Sequence, residues 1–377
     1  MSAKPPDINA HVSGVLRDLA AAQTDKFKAR GFKRAAAAVM SLDQPIDALA
    51  GPAGALPDLP NIGPSSRKII EEVLRTGTSA RMEREVATSR RGHEITRGRD
   101  RRGQFLSRVE VRRVLETPAA AGVVGLSDYR GDFQMHSVWS DGGMTLEELV
   151  DGCLARGYIY AAISDHSHGL KIASGMSMEE VTRQHRAIDV INDVQAGKFR
   201  LIKGVEANIQ ADGALDLAPA DVGRFEMVLA APHSQLRGTH DQTARLERAV
   251  KTPGVHVLAH PRGRQGTTRA GIHADWDRVF AAAVASNVAI EIDGDPARQD
   301  LDYSTAERAL AAGCLFALDS DAHSVSELAY ADTAVAHARL AGIPADRVLN
   351  CWPLERLLDW LARRQGRAAS VTSGSRG

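Results

Sequence analysis

The chain is 377 residues long, 44% hydrophobic and 25% charged, with 47 Lys+Arg balanced by 47 Asp+Glu. This much apolar material excludes global disorder, no apolar run approaches the roughly 20 residues of a membrane span, and Met1 to Ala10 lack a secretory h-region. Three scattered cysteines (Cys153, Cys314, Cys351) exclude a disulfide scaffold and predict a reducing, cytoplasmic setting.

The neutrality hides a division. Residues 1–130 hold 22 Lys+Arg against 15 Asp+Glu, and residues 131–377 hold 25 against 32. A basic part followed by an acidic part predicts an anionic partner for the first and cations for the second. Eleven of the 13 histidines lie after residue 130, which directs attention there for metal chemistry.

In chain order, residues 7–50 predict helices. Val12, Val15, Leu16 and Leu19 form one apolar stripe at helical spacing, and Phe27, Phe32, Ala35, Ala36 and Val39 form another. Residues 56–77 predict helix, tight turn, helix, with Gly63-Pro64 at the turn and Gly77 closing the second helix. Residues 81–130 predict an arginine-rich connector: eleven arginines fall between Arg81 and Arg113, with little apolar periodicity before Phe105. Such a run is a solvated linker or a phosphate-contacting arm. Phe105–Leu115 fits either a strand or a short helix.

From residue 131 short apolar strands alternate with helices. Seven strands are predicted, at Phe133–His136, Ile159–Ser164, Leu201–Val205, Met227–Ala231, His256–Ala259, Val288–Ile292 and Leu315–Leu318. Helices fall between them at Leu146–Ala155, Met178–Val194, Thr243–Val250, Trp276–Ser286 and Ser304–Ala312. That alternation predicts an α/β fold, a closed or nearly closed parallel barrel over 131–365, preceded by an all-α domain at 1–80. Residues 366–377 predict a disordered tail.

The predicted strands end in polar residues: His136 with Asp141, Asp165-His166, Glu206, His233, His260, Asp293, and Asp319-Ser320-Asp321-Ala322-His323. In a parallel barrel those ends converge on one face. Any single one of these histidines is more often structural than a ligand. Together they are hard to explain by packing, because buried charge is costly unless paired or metal-bound. Imidazole mixed with carboxylate suits Zn²⁺ or Mn²⁺, and about eight candidate ligands imply two or three ions.

The segments Gly131-Asp132-Phe133-Gln134-Met135-His136, Ser140-Asp141-Gly142, Ser164-Asp165-His166-Ser167, Gly204-Val205-Glu206, His260-Pro261-Arg262-Gly263-Arg264, Glu291-Ile292 and Asp319-Ser320-Asp321-Ala322-His323 resemble the PHP (polymerase and histidinol phosphatase) metallophosphoesterase domain. The version resembled is that at the C-terminus of bacterial family X DNA polymerases. The resemblance implies a distorted seven-stranded TIM-like barrel and three clustered ions. One would take His136, Glu206 and Asp321, a second Glu206, His233 and His260, and a third Asp141, His166 and His323. Gln134 stands where many members have a first histidine, which leaves two or three ions per chain. Such ions activate water and stabilise charge at phosphorus, so Asp321, His323 and Glu206 are the expected catalytic residues. Arg262, Arg264, Arg269 and Lys171, with Arg237, are candidate phosphate clamps or ordinary surface charges. His168, His185, His240, His256, His273 and His337 match no metal position; of the remaining groups, His168 and Asp293 stand nearest to one.

Phe27-Lys28-Ala29-Arg30-Gly31-Phe32-Lys33-Arg34-Ala35-Ala36 followed by Leu59-Pro60-Asn61-Ile62-Gly63 resembles the N-terminal helix-hairpin-helix domain of the same polymerases. That hairpin offers backbone N–H groups to a DNA phosphate. Asn61, Gly63 and Lys68 are the implied DNA contacts, Asn61 replacing a usual glycine. The lysine of lyase-active relatives is matched by Ile69, so no lyase activity is implied. Residues 80–130 are too short for a polymerase palm.

The expectation is therefore a metal-dependent phosphoesterase acting on DNA, a 3′–5′ exonuclease or 3′-end-processing hydrolase in repair. No membrane and no obligate protein partner are expected. The alternatives are a small-molecule phosphatase of the histidinol-phosphate type and a non-enzymatic DNA-binding protein with a degenerate barrel.

Overall fold

The structure, a computed structural model, describes residues 7–51, 54–99, 104–170, 173–266 and 269–364, so the predicted tail lies outside the described residues. Two compact units divide the chain: Met1–Pro118 with Gln265–Ala270, and Ala119–Arg264 with Gly271–Gly377.

The first unit is helical because its apolar residues recur at helical spacing and its helix starts carry caps. It holds α1 (Ile8–Ala22), α2 (Lys26–Met40), α3 (Pro64–Thr76), α4 (Ala80–Thr88), α5 (Gly92–Arg97) and α6 (Arg108–Glu116). Asp7, Asp25, Ser79 and Ser107 accept hydrogen bonds from backbone N–H groups of the helices they precede. Val12, Leu16 and Leu19 of α1 pack against Phe32, Ala35 and Val39 of α2 and Ile70 and Val73 of α3.

Three sequence expectations change here. Residues 56–63 form no helix. Pro57 and Pro60 remove donors, and the segment instead buries Leu56 and Ile62 as an irregular strap. The turn's left-handed residue is Asn61 (φ 66°), while Gly63 is the extended N-cap of α3. The arginine-rich stretch is no connector up to residue 118. Met82, Val86 and Ile95 join the helical core. Several of its cations are matched by acids: Arg81 by Glu85, Arg91 by Glu94, and Arg99 by Asp18 and Glu83. Paired arginines masked a short amphipathic pattern. Phe105–Leu115 resolves in favour of helix, with Ser107 accepting from Glu110 N–H and its own N–H donating to Asp7.

The second unit is a curled parallel sheet of six strands in sequential order: β1 (Tyr160–Ile163), β2 (Arg200–Asn208), β3 (Met227–Ala231), β4 (Val257–Leu258), β5 (Ala289–Asp293) and β6 (Phe316–Asp319). Helices α7 (Leu146–Ala155), α8 (Met178–Val194), α9 (Pro219–Val222), α10 (Thr243–Lys251), α11 (Trp276–Ser286), α12 (Tyr303–Ala312), α13 (Ala331–Leu340) and α14 (Leu354–Arg364) accompany it. Strands β1, β3, β4, β5 and β6 are buried at every position, as strands covered on both faces must be.

The first of the seven predicted strands is not a ladder. Residues 132–136 run between β1 and β6 on isolated bonds. Ala162 N–H donates to Asp132 O at 2.8 Å, Ser164 N–H to Met135 O at 2.9 Å, and His136 N–H to Ala322 O at 2.8 Å. Polar side chains replace the missing rungs. Phe133 N–H donates to Asp319 Oδ1 at 2.9 Å and Met135 N–H to Ser164 Oγ at 2.9 Å.

The inward apolar residues of the sheet form one core with Trp352, Leu357, Trp360 and Leu361 from the C-terminal region. The strand ends bearing His and carboxylate groups are left to build the site. No helix among the described residues is long and apolar enough to cross a membrane.

Candidate metal centre

Glu206, near the end of β2, is the hub. Its carboxylate meets four imidazoles: His260 Nε2 at 2.7 Å, His233 Nε2 at 3.1 Å, His166 Nδ1 at 3.1 Å and His136 Nε2 at 3.4 Å. Asp321 Oδ1 lies 3.2 Å from His136 Nε2. Asp141 Oδ1 lies 3.5 Å from His166 Nε2 and 3.6 Å from His323 Nε2. The His136 ring stacks at 4.4 Å from His166 and 4.5 Å from His323. All eight expected ligands therefore converge.

Their ligand atoms gather into three sets: His136, Asp141, His166 and His323; His166, Glu206 and His233; and His136, Glu206 and Asp321. The last matches the first expected ion site. The Asp141 set gains His136. In the middle set His166 stands where His260 was expected, and His260 instead hydrogen-bonds Glu206 directly.

The donor set fits divalent ions. Nδ1 of His136, His233 and His260 is buried with no hydrogen-bond partner among the described residues, and His166 Nδ1 and Glu206 Oε2 face each other at 3.1 Å without making a hydrogen bond. Orphaned polar atoms in a core are costly unless something satisfies them. Gln134 is also fully buried. Its amide N–H donates to Asp321 Oδ1 at 3.4 Å, and its carbonyl oxygen has no partner among the described residues.

Charge is tightly balanced. Burial raises the Glu206 carboxyl, but His166 and His233 outweigh it and hold it well below the usual carboxylate range. Burial likewise opposes ionisation of Asp141, and His166 and His323 overcome it. His323 is pushed up to about 9: burial lowers it, but Asp141 and Asp321 prevail. Burial and then Arg298 bring His260 down to about 4.

Local structure aims these groups. Asp165, fully buried after β1, accepts from Ser137 N–H at 2.8 Å, Ser137 Oγ at 2.6 Å, Gln184 Nε2 at 2.6 Å and Ser140 Oγ. It thereby pins the loop that carries Asp141. Gly142 turns that loop so tightly that a Cβ would stand 2.1 Å from the His136 carbonyl oxygen. His260 (φ 24°) and Asp321 (φ 53°) both hold left-handed backbone, a conformation non-glycine residues adopt only where surroundings impose it. The His260 N–H donates to Glu291, which sits in a buried acidic layer with Asp293 and Asp319. In that layer burial pushes Asp319 up to about 6.

The candidate phosphate clamps fare differently. Arg264 is not available to substrate. It is 1% exposed, donates to Arg298 O at 2.9 Å, and pairs with Asp302 at 3.1 Å. Arg262 donates to Asp302 and to Thr305 Oγ1 and is largely covered. Both arginines hold the chain after His260 against the Asp300–Asp302 segment. Arg269 bonds back to Gln265 through its backbone and belongs with the helical unit. Lys171 lies outside the described residues, and Arg237 is exposed.

Arg298, absent from the sequence expectations, reaches the centre: its Nη2 stands 3.1 Å from Asp321 Oδ2, with Asp295 and Asp293 at 3.7 and 3.8 Å. It follows the polar end of β5, so the strand-end signal would have found it had cations been counted with anions. Asp293 is buried beside it and His168 is exposed; neither joins a ligand set. His256 and His337 are structural. Their Nδ1 atoms accept from Val228 and Tyr303 N–H.

In the helical unit Asn61, Gly63 and Lys68 are all exposed at the start of α3. A helix-hairpin-helix domain model matches residues 7–79. The chain is 35% identical over 242 residues to the DNA polymerase/3′-5′ exonuclease PolX of Bacillus subtilis, covering 64% of this chain and 42% of that protein. The chain thus joins a stretch that matches a helix-hairpin-helix model to a curled parallel α/β unit that carries the histidine-rich centre. It spans less than half the length of that relative. A probable phosphatase of an Enterobacter species is 27% identical over 245 residues, and there 94% of the relative is covered by 62% of this chain. Histidinol phosphate phosphatase of Lactococcus lactis, solved with zinc, L-histidinol and phosphate, superposes at TM-score 0.40 and 13% identity over 56% of this chain and 94% of that one.

Proposed function

We propose that this is a cytoplasmic, metal-dependent phosphoesterase that trims or processes DNA 3′ ends, with its helix-hairpin-helix domain binding the DNA. One observation carries the reading: a histidine-rich centre with orphaned ligand atoms sits in a chain that also bears a helix-hairpin-helix domain.

In this reading His136, Asp141, His166, Glu206, His233, His260, Asp321 and His323 hold two or three divalent ions, of which Mn²⁺ and Zn²⁺ suit the donors. Such ions supply a nucleophile at neutral pH and Lewis acidity at phosphorus. Glu206 spaces the imidazoles around it, and its burial keeps bulk water from the inner side. Asp141 and His323, each about one-third exposed, form the open side through which substrate enters. Arg298 holds Asp321 ionised from behind and offers a guanidinium to the phosphoryl group. Asn61, Gly63 and Lys68 grip the DNA backbone through the α3 N-terminus.

The test is hydrolysis of end-labelled single-stranded DNA with added Mn²⁺, wild type beside Asp321→Ala and His323→Ala. Product ladders from wild type alone are expected. No cleavage, with intact turnover of a simple phosphomonoester, would overturn the DNA reading in favour of a small-molecule phosphatase. That second reading draws support from the near-complete coverage of the probable phosphatase.

A further inference from the structure

The expected ligands differ sharply in exposure. His136, Glu206, Asp321 and His260 have side chains 0–3% exposed, whereas Asp141 and His323 are 33% and 34% exposed. Trp139 lies two residues before Asp141 on the same loop and is only half-buried. Val138, next to it, is 56% exposed. Neither side chain is used by the chemistry above, and an apolar pair on the loop that carries Asp141 calls for a reason.

Arg183 of α8 faces the Trp139 ring with its guanidinium carbon 5.9 Å from the ring centroid. Elsewhere in this protein an arginine stacks closely on tryptophan, Arg356 standing 3.8 Å from the Trp352 centroid. The Arg183 side chain is 58% exposed and lies 3.8 Å from its only ion-pair partner among the described residues, Glu180. It is a cation held near an aromatic face without closing on it.

Both members are anchored to the same buried carboxylate. Ser137 and Ser140, flanking Trp139, donate to Asp165, and so does Gln184, the neighbour of Arg183. Trp139 N–H donates to Ser137 Oγ at 3.2 Å. The loop is further tied by Val138 N–H to Met144 O at 3.0 Å and by Gly143 N–H to His323 O at 2.7 Å. The backbone that carries Trp139 and the helix turn that carries Arg183 are thus both tied to Asp165, and the Trp139 loop is tied to His323, which gives a positioning subsite an anchored base.

We propose that Trp139 and Arg183 form a nucleotide subsite at the open edge of the metal centre: Trp139 stacks a base of single-stranded nucleic acid next to the scissile phosphate, and Arg183 meets the flanking phosphate. The inference rests on the DNA-end reading above. Base-on-aromatic stacking tolerates any base, and arginine supplies the backbone charge contact, so the subsite recognises a strand without reading its sequence. A phosphomonoester lacking a base makes no use of either residue. The pair thus separates a strand-processing barrel from a small-molecule phosphatase within one architecture.

The experiment uses the full chain with Trp139→Ala, Trp139→Phe and Arg183→Gln. Hydrolysis of a short oligothymidylate and of glycerol 2-phosphate, which has no ring to stack, is compared by the ratio of their kcat/KM values. The chain has four tryptophans, so oligothymidylate binding is also followed by fluorescence quenching in EDTA. The expected result is a ratio lowered roughly ten-fold in Trp139→Ala and largely restored in Trp139→Phe. Quenching present in wild type should be lost in Trp139→Phe, and Arg183→Gln should weaken binding with a shallower salt dependence. Equal losses on both substrates in Trp139→Ala, or quenching that persists in Trp139→Phe, would overturn the subsite while leaving the nuclease reading intact. Wild type that turns over glycerol 2-phosphate but neither cleaves nor is quenched by the oligonucleotide would overturn both.

Discussion

The two units of this chain handle charge in opposite ways. In the barrel the decisive ionisable groups are hidden: Asp132, Glu206, Glu291, Asp293, Asp319 and Asp321 are at most 5% exposed. In the helical unit they are displayed: Lys26, Lys28, Arg30, Lys33 and Arg34 of α2 are all exposed, and so is Lys68 of α3. Buried charge needs a partner at hand and therefore marks chemistry, whereas exposed charge of one sign marks a long-range partner such as a polyanion. The arginines after Arg81 show a third use, since several are paired within the unit and serve the fold.

The comparison breaks first at Glu206. Glu206→Gln removes the hub of four imidazoles, and turnover should fall by roughly a thousand-fold or more. Metal content measured by mass spectrometry should fall with it. A variant retaining both would mean that the buried charge is structural.

Arg264→Met sharpens the distinction between charge for chemistry and charge for structure. It leaves Asp302 buried with Arg262 as its remaining cation, and removing one partner of a buried pair costs about 3 kcal/mol or more. Urea unfolding should show that loss. Unchanged stability with weakened phosphate binding would return Arg264 to the substrate clamp.

Ser107→Ala asks whether residues beyond Arg81 belong to the helical unit. Ser107 caps α6 and bonds Asp7, so the variant should lose about 1 kcal/mol. No change in unfolding would restore the connector.

The smallest effect concerns His185 of α8, which packs against Phe225. Burial, then Lys203 and Arg224, lowers it to about 4 from a usual 6.5. Between those values the unfolded chain binds the extra proton, so stability should decline as pH falls from 6.5 towards 4. His185→Phe should flatten that part of the pH–stability curve. A variant with the wild-type slope would assign the acid sensitivity to the metal centre.

Much of the barrel was legible because its signals are local. A buried apolar run followed at once by a polar residue marks both a strand and the polar cluster at its end, which is why Met227–Ala231 matches β3 residue for residue and the eight expected ligands lie together. Legibility failed where the deciding interaction was remote in sequence. Residues 132–136 look like a strand, but Asp319 and Ser164 supply side-chain partners where ladder bonds were expected. Arg264 has the sequence of a loop cation, and only its contacts with Asp302 and the carbonyls of Arg298 and Gln299 reveal it as core. The arginine-rich stretch hid Met82, Val86 and Ile95 because spacing within short helices is weak evidence until a core exists to receive it.

The sequence by itself determined the alternation of strands and helices after residue 131 and the strand-end placement of histidines and carboxylates. Those follow from periodicity and backbone chemistry acting over a few residues. Tertiary structure alone decided which imidazole meets which carboxylate oxygen, which arginines face a substrate and which face an aspartate. It also decided that Trp139 and Arg183 share one anchor. Such choices depend on distances between residues far apart in the chain, and burial sets how strongly each charge is felt.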